Sequence, residues 1–179
     1  MRCFIALEVP DDLKEYYSKK LSSAKHSFSG NIVKGAQMHI TLFFFGNIDN
    51  EQVNNLSVKL KQISDYDPFD VKLGRGKFFS KNGTPFTAYV EVISEGLKQL
   101  RDRLLPSVKE FLGDNRPFIP HLTLLRIKKI SDTGIFNDFL NSLQENIYQA
   151  ETVKLIKSDL RYNGPVYTVL KEFSLKNKE

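Results

Sequence analysis

Two short segments of this chain have residue types and spacing that could do chemistry: His39-Ile40-Thr41 and His121-Leu122-Thr123. Imidazole titrates near neutral pH, so one histidine can hold a proton for a departing oxygen while another accepts a proton from an attacking oxygen. A threonine hydroxyl beside each ring can donate a hydrogen bond to a non-bridging phosphate oxygen and stabilise charge that develops in the transition state. The pair of segments therefore points to acid–base chemistry at a phosphodiester. A single copy on a strand would be a poor signal, and the repetition is what carries the argument. Satisfied polar histidines on half-buried strands, with threonine there for its β propensity, would explain each copy separately but not the coincidence.

A metal is not needed for this chemistry. Two histidines without an accompanying carboxylate or cysteine cluster also fall short of the three or four ligands of a zinc site. No metal and no cofactor are expected. The third histidine, His26, lacks a threonine partner and lies in a polar helical stretch, which reads as a surface position. Cys3 is the single cysteine, and its apolar, strand-like surroundings suit a buried, inert thiol.

The elements that must position these residues follow from periodicity. In a strand, alternate residues share a face, so His39 points with Thr41, and His121 with Thr123. Ile40 and Leu122, with Leu42 and Leu124, face the other way and can anchor the strands in an apolar layer. The two motif strands are predicted over residues 37–45 and 119–127. Further strands are predicted over 2–9, 152–161 and 166–175, the last two joined by Asn163-Gly164-Pro165. A hairpin over 70–79 and 85–93 turns at Asn82-Gly83. Helical spacing predicts helices over 13–26, ended near Gly30; from Asp49 or Asn50 through Val53, Leu56, Leu60 and Ile63; from Ser94 through Leu97, Leu100, Leu104 and Val108; and over 133–146 with Ile135, Phe139 and Leu143. Pro106 is expected to kink or split the third of these. Each half runs helix, motif strand, helix, which suggests two similar lobes in an α+β arrangement.

At 179 residues the chain fits one domain of two closely packed lobes. A net charge of +5 favours an anionic partner. No apolar run approaches the roughly 18 residues of a membrane span, and the N-terminal segment meets Glu8 too early for a secretory signal, so a soluble, cytoplasmic protein is expected.

With these residues in view, the chain resembles the 2H phosphoesterase superfamily, and within it the RNA 2′,3′-cyclic phosphodiesterase branch formerly described as 2′-5′ RNA ligases. The carriers are Arg2-Cys3-Phe4-Ile5-Ala6-Leu7-Glu8-Val9-Pro10, His39-Ile40-Thr41-Leu42-Phe43-Phe44-Phe45-Gly46, and Arg116-Pro117-Phe118-Ile119-Pro120-His121-Leu122-Thr123-Leu124-Leu125-Arg126. Ser158-Asp159-Leu160 and Gly164-Pro165-Val166-Tyr167 also match. The resemblance spans nearly the whole chain. It implies a single bilobal domain over 1–179 with a pseudo-twofold α+β fold, in which two mainly antiparallel sheets line a central cleft and the helices lie outside. It further implies metal-independent hydrolysis of RNA 2′,3′-cyclic phosphate ends to 2′-phosphates, with His39 as proton donor, His121 as proton acceptor, and Thr41 and Thr123 beside them. The same groove could join RNA ends weakly as a 2′-5′ ligase. The implied partner is RNA with such an end, tRNA fragments among them, acted on by a monomer away from membranes. Two alternatives stay open: a noncatalytic RNA-end binding module, and the same chemistry on a small cyclic nucleotide or 2′-5′ oligonucleotide.

Five residues after each motif histidine stand Phe44 and Arg126. An aromatic face and a guanidinium plane can sandwich a nucleobase, and arginine can instead neutralise phosphate. Simple alternation turns both away from the histidines, so either role requires a strand end or a bulge. Ala36-Gln37-Met38 departs from the approach usual in the family, and Lys34 just before it is a candidate phosphate contact.

Overall fold

The structure, a computed structural model, describes residues 1–113, 117–162 and 164–176. Arg116 and Asn163, named above in a matching motif and a turn, lie outside the described residues. In chain order the elements are β1 (Arg2–Glu8), α1 (Asp11–Ala24), β2 (Phe28–Ile32), β3 (His39–Asn47), α2 (Asn50–Lys59), β4 (Phe69–Lys81) and β5 (Thr84–Ile93). They continue with α3 (Glu95–Val108), β6 (His121–Ile130), α4 (Thr133–Asn141), β7 (Asn146–Ala150), β8 (Thr152–Arg161) and β9 (Gly164–Ser174).

Local chemistry starts the helices where the sequence signals them. Asp49 caps α2: its carboxylate accepts from the Gln52 N–H at 2.8 Å, while the Gln52 side chain accepts from the Asp49 N–H at 3.0 Å. This reciprocal box satisfies two donors that the first turn would otherwise leave open. Ser94 and Asp132 cap α3 and α4 in the simpler one-sided way. The stripe Leu97, Leu100, Leu104 and Val108 is fully buried, as its spacing requires, and α3 runs through Pro106 to Val108. Leu56 is buried within α2, and Leu60 and Ile63 continue its stripe into a 3-10 segment over Leu60–Asp65. His26 is exposed just beyond α1, and Cys3 is buried, which pushes its thiol pKa up.

Two expectations fail. The helix predicted over 133–146 stops at Asn141, and Asn146 begins β7, which pairs with β4. The face that α4 buries is Phe136, Phe139 and Leu140, whereas Ile135 is 51% exposed. Ile147 is exposed between half-buried neighbours, the alternation of a strand, but five residues are too few to outweigh the helical spacing that precedes them. The second failure is β2. Only Phe28 of that segment is buried, and Ser29-Gly30-Asn31 carries no strand signal. It is held by backbone pairing to β6, and Gly30 lies within it instead of ending the region. A Cβ at Gly30 would overlap the Arg126 carbonyl, so the residue allows a close approach that no side chain could.

The strands run β7-β4-β5-β6-β3-β1-β8-β9, with β2 added alongside β6, and every pairing is antiparallel. Two antiparallel sheets, β3-β1-β8-β9 and β7-β4-β5-β6, are thus joined edge to edge into one. The join is a single residue pair, Ile40 opposite Leu122, the central residues of the two motifs. Both are fully buried. Alternation then sorts each strand between two faces. Cys3, Ile5 and Leu7 of β1 enter the main core with the buried stripes of the helices, while Phe4 and Ala6 point to the other side and form a smaller cluster with Ile156, Phe44 and Tyr167. No helix among the described residues is long and apolar enough to cross a membrane.

Because Ile40 is fully buried in the residue pair that joins the two sheets, Ile40→Ala should lower stability by about 2–5 kcal/mol. Urea denaturation checks this, and a cost below about 1 kcal/mol would show that the junction relaxes around the cavity.

Candidate active site

An antiparallel register centred on Ile40 and Leu122 turns His39, Thr41, His121 and Thr123 to the face opposite the core. Each histidine thus shares a face with the threonine of its own motif. The burial pattern of the five residues starting at each histidine is the same in both strands: half-buried, buried, half-buried, buried, buried. The repeated last state marks a slip in alternation, and the pairing shows its cause. Ile5 pairs with Phe43 and Ala6 with Thr41, which leaves Leu42 as an extra residue in β3. Ala88 pairs with Leu125 and Tyr89 with Thr123, which leaves Leu124 as an extra residue in β6. Twin bulges therefore return Phe44 and Arg126 to the histidine side, as their proposed roles require.

Both imidazoles are held by the same local bond. His39 Nδ1 lies 2.6 Å from the Gln37 carbonyl, and His121 Nδ1 lies 2.6 Å from the Ile119 carbonyl. A carbonyl can only accept, so each Nδ1 carries the proton of the neutral ring and Nε2 is its basic nitrogen. Two aromatic rings flank each histidine. Phe4 stacks on His39 at 4.8 Å and Tyr167 meets it edge-on at 5.4 Å, while Phe79 and Tyr89 meet His121 edge-on at 5.1 and 5.5 Å. Burial lowers the His39 pKa to about 4; the Gln37 carbonyl opposes this, and the positive charges of His121 and Arg126 add to it. His39 is therefore neutral at pH 7.

Both histidines line one groove of about 540 Å³, to which both sheets contribute. His39, Thr41 and Phe44 come from β3, and His121 and Arg126 from β6. Arg126 donates from Nη1 to the Thr87 hydroxyl at 3.0 Å, which aims its guanidinium from the neighbouring strand. Phe44 is half-buried, with the Arg2 guanidinium 4.8 Å from its ring centre. Thr123 is half-buried on the His121 face but does not line the groove, and Lys34 is exposed in the loop before β3 and does not line it either.

Sequence reasoning missed several contributors. Gln37 holds His39 through its carbonyl, and its side-chain amide donates to the Pro165 carbonyl, tying the β8–β9 end of the sheet to the first motif. Arg2, Arg101 and Tyr167 also line the groove. Arg101 comes from α3, with Phe43 and Phe118 each within 5.0 Å of its guanidinium carbon. The histidine–carbonyl bonds were in principle legible, since each acceptor stands two residues before its histidine; the rest depends on strand pairing. Among the described residues, no group of three or more His, Cys, Asp or Glu is placed to hold a metal ion.

A family model described as the 2′-5′ RNA ligase superfamily matches residues 9–153. A protein of Methanocaldococcus jannaschii named RNA 2′,3′-cyclic phosphodiesterase is 32% identical, across 97% of this chain and 100% of its own length. One of the same name from Thermus thermophilus is 29% identical, across 99% of this chain and 92% of its own length. Among solved structures, one from Thermus thermophilus superposes with a TM-score of 0.83 at 26% identity, with full coverage of both chains. Escherichia coli LigT complexed with 3′-AMP superposes with a TM-score of 0.79 at 23% identity over 98% of each chain, which supports the fold.

Burial of His39 sets the sign of a pH effect. Its pKa falls on folding from the ordinary 6.5 to about 4, so the unfolded chain binds the extra proton between these values. The contribution of His39 to stability is complete above pH 6.5 and is lost as pH falls toward 4. NMR titration of the His39 ring should give a midpoint near 4 in the free protein, and a His39→Asn variant should lose less stability across that window. A midpoint at or above 6.5 would contradict the burial argument.

Proposed function

The chain belongs to the 2′-5′ RNA ligase superfamily, and on that premise we propose that it hydrolyses RNA 2′,3′-cyclic phosphate ends to 2′-phosphates, without a metal, through His39 and His121. The observation that carries this reading is the pair of imidazoles, each with Nδ1 locked to a carbonyl, that line one groove from two strands meeting at a single residue pair. The names of the relatives supply the substrate class.

In the proposed reaction, His121 Nε2 accepts a proton from water as the water oxygen attacks phosphorus. The bond to the 3′ oxygen breaks, and His39 Nε2 delivers a proton to that oxygen, leaving the phosphate on the 2′ oxygen. Thr41 donates to a non-bridging oxygen, Thr123 stands on the same face beside His121, and Arg126 offsets the phosphate's negative charge. Phe44 borders the terminal nucleotide, and Lys34 meets the RNA backbone outside the groove. Burial opposes the donor role of His39, because it holds the ring neutral near pH 7. An anionic phosphodiester beside it favours the imidazolium, so substrate binding itself loads the acid. If the 5′-hydroxyl of a second RNA replaces water, the same transfers form a 2′-5′ linkage, a weak ligation by the same groove. tRNA fragments with cyclic phosphate ends fall within this substrate class.

With EDTA present, the purified protein should convert RNA ending in a 2′,3′-cyclic phosphate to the 2′-phosphate product. His39→Ala and His121→Ala should each lower kcat by about 100- to 10,000-fold while remaining folded. Full metal dependence, a 3′-phosphate product, or normal turnover in either variant would defeat the proposal. Loading of the acid by substrate gives a further expectation: the pH limb that reports His39 lies at higher pH in kcat than in kcat/KM. Coincident limbs would remove substrate-induced protonation from the mechanism.

A further inference from the structure

The β4–β5 hairpin extends past the strand that carries the second motif. β5 pairs with β6 from Thr87 to Glu91, whereas the pairing within the hairpin runs on to Lys81 opposite Thr84. In this overhang, Phe79 pairs with Thr87 and Ser80 with Pro85, so Phe86 is an extra residue in β5. Plain alternation would send Phe86 to the side of Ala88 and Val90, both fully buried in the main core. The bulge instead brings it to the groove, where it is 45% exposed.

Its position there continues a row of rings. Tyr89 and Phe79 are stacked, with centres 4.2 Å apart and planes 21° apart, and Phe79 and Phe86 are 6.2 Å and 24° apart. Tyr89 and Phe79 both meet the edge of His121. The row therefore starts at a proposed catalytic histidine and ends on a ring open to solvent. A flat π-system can extend such a row with little demand on its identity, and unpaired nucleobases are bound in this way. Charge favours a nucleotide over an apolar peptide side chain. Arg126 faces Thr87, the residue next to Phe86; Arg2 and Arg101 line the same groove; and Lys81 is exposed at the hairpin tip. These are cations suited to a phosphate backbone.

We propose that the open side of Phe86 is a nucleobase subsite, so that the groove takes a single-stranded RNA of at least two nucleotides and not the terminal nucleotide alone. The subsite rests on the reading of the groove as an RNA-end site. It binds the base next to the cyclic phosphate nucleotide, tolerates any base, and contributes affinity without taking part in proton transfer.

Two measurements test it on the full chain. One is the ratio of kcat/KM for a dinucleotide ending in a 2′,3′-cyclic phosphate to that for the cyclic mononucleotide with the same terminal base. The other, which needs no turnover, is calorimetric binding of a dinucleotide 2′-phosphate against the corresponding nucleoside 2′-phosphate. Wild type should favour the dinucleotide in both. Phe86→Leu, which keeps apolar bulk but removes the ring, should lower each ratio by roughly 5- to 100-fold, and Phe86→Trp should maintain or raise it. Phe78→Ala, a change at an exposed ring of the same hairpin that does not line the groove, should leave the ratio unchanged. Equal binding of the two ligands by wild type, or equal losses for both ligands in Phe86→Leu, would overturn the subsite. Cyclic phosphate hydrolysis alongside that result would leave the proposed activity standing, whereas dinucleotide-selective binding without hydrolysis would support the subsite and count against the activity.

Discussion

The edge-to-edge contact between β3 and β6 is one residue pair long, Ile40 opposite Leu122, and the rest of the molecule is arranged around it. An antiparallel pair is related to itself by a local twofold rotation, so two similar lobes joined there acquire a common approximate axis. The side chains of the pair enter the main core and hold the junction by burial. Their neighbours in sequence must then point the opposite way, which puts two imidazoles and two hydroxyls on a single surface. A longer pairing of β3 with β6 would close the sheet across the region where the groove lies. The short contact leaves the two strands free to part, β3 toward β1 and β6 toward β5 and β2.

The same constraint explains why each motif strand carries a bulge just after its threonine. A regular strand would send Phe44 and Arg126 into the apolar layer with Ile40 and Leu122, where an arginine would have to give up its hydration. The extra residues Leu42 and Leu124 are buried, and their insertion reverses the facing of the residues after them. The two halves then diverge at equivalent positions. Phe44 faces Phe4 across the β1 pairing, and Arg126 faces Thr87 across the β5 pairing. One side of the groove consequently presents an aromatic ring with the Arg2 guanidinium over it, and the other a guanidinium held by Thr87.

That asymmetry sets the electrostatics. On the first side, Phe4 and Tyr167 close around His39 and take it from water, which disfavours its charged form. Arg126 adds to this effect on His39, and it also partly offsets the burial that raises the Tyr167 pKa. Arg2, Arg101 and Arg126 all line the groove, which gives it a positive potential. The two histidines share one local hydrogen-bond device and differ in the rings that surround them.

Much of this was legible in the sequence because it depends on short-range rules. Strand alternation places each histidine with its threonine, the caps at Asp49 and Ser94 start helices, and the stripe Leu97, Leu100, Leu104 and Val108 fixes the buried face of α3. The repeated motif suggested two similar lobes, and the positions of Phe44 and Arg126 showed that a bulge would be needed to turn them to the histidine face. The polar segment β2 and the short strand β7 were not legible, since both are held by backbone pairing to distant strands and leave little mark on composition. Tertiary structure alone decided that Ile40 meets Leu122, that Leu42, Leu124 and Phe86 are the extra residues, that Gln37 ties Pro165 to the first motif, and that Arg101 and Tyr167 line the groove. A residue's own strand determines which neighbours share its face; which strand lies alongside, and where the register slips, is settled by the packing of the whole chain.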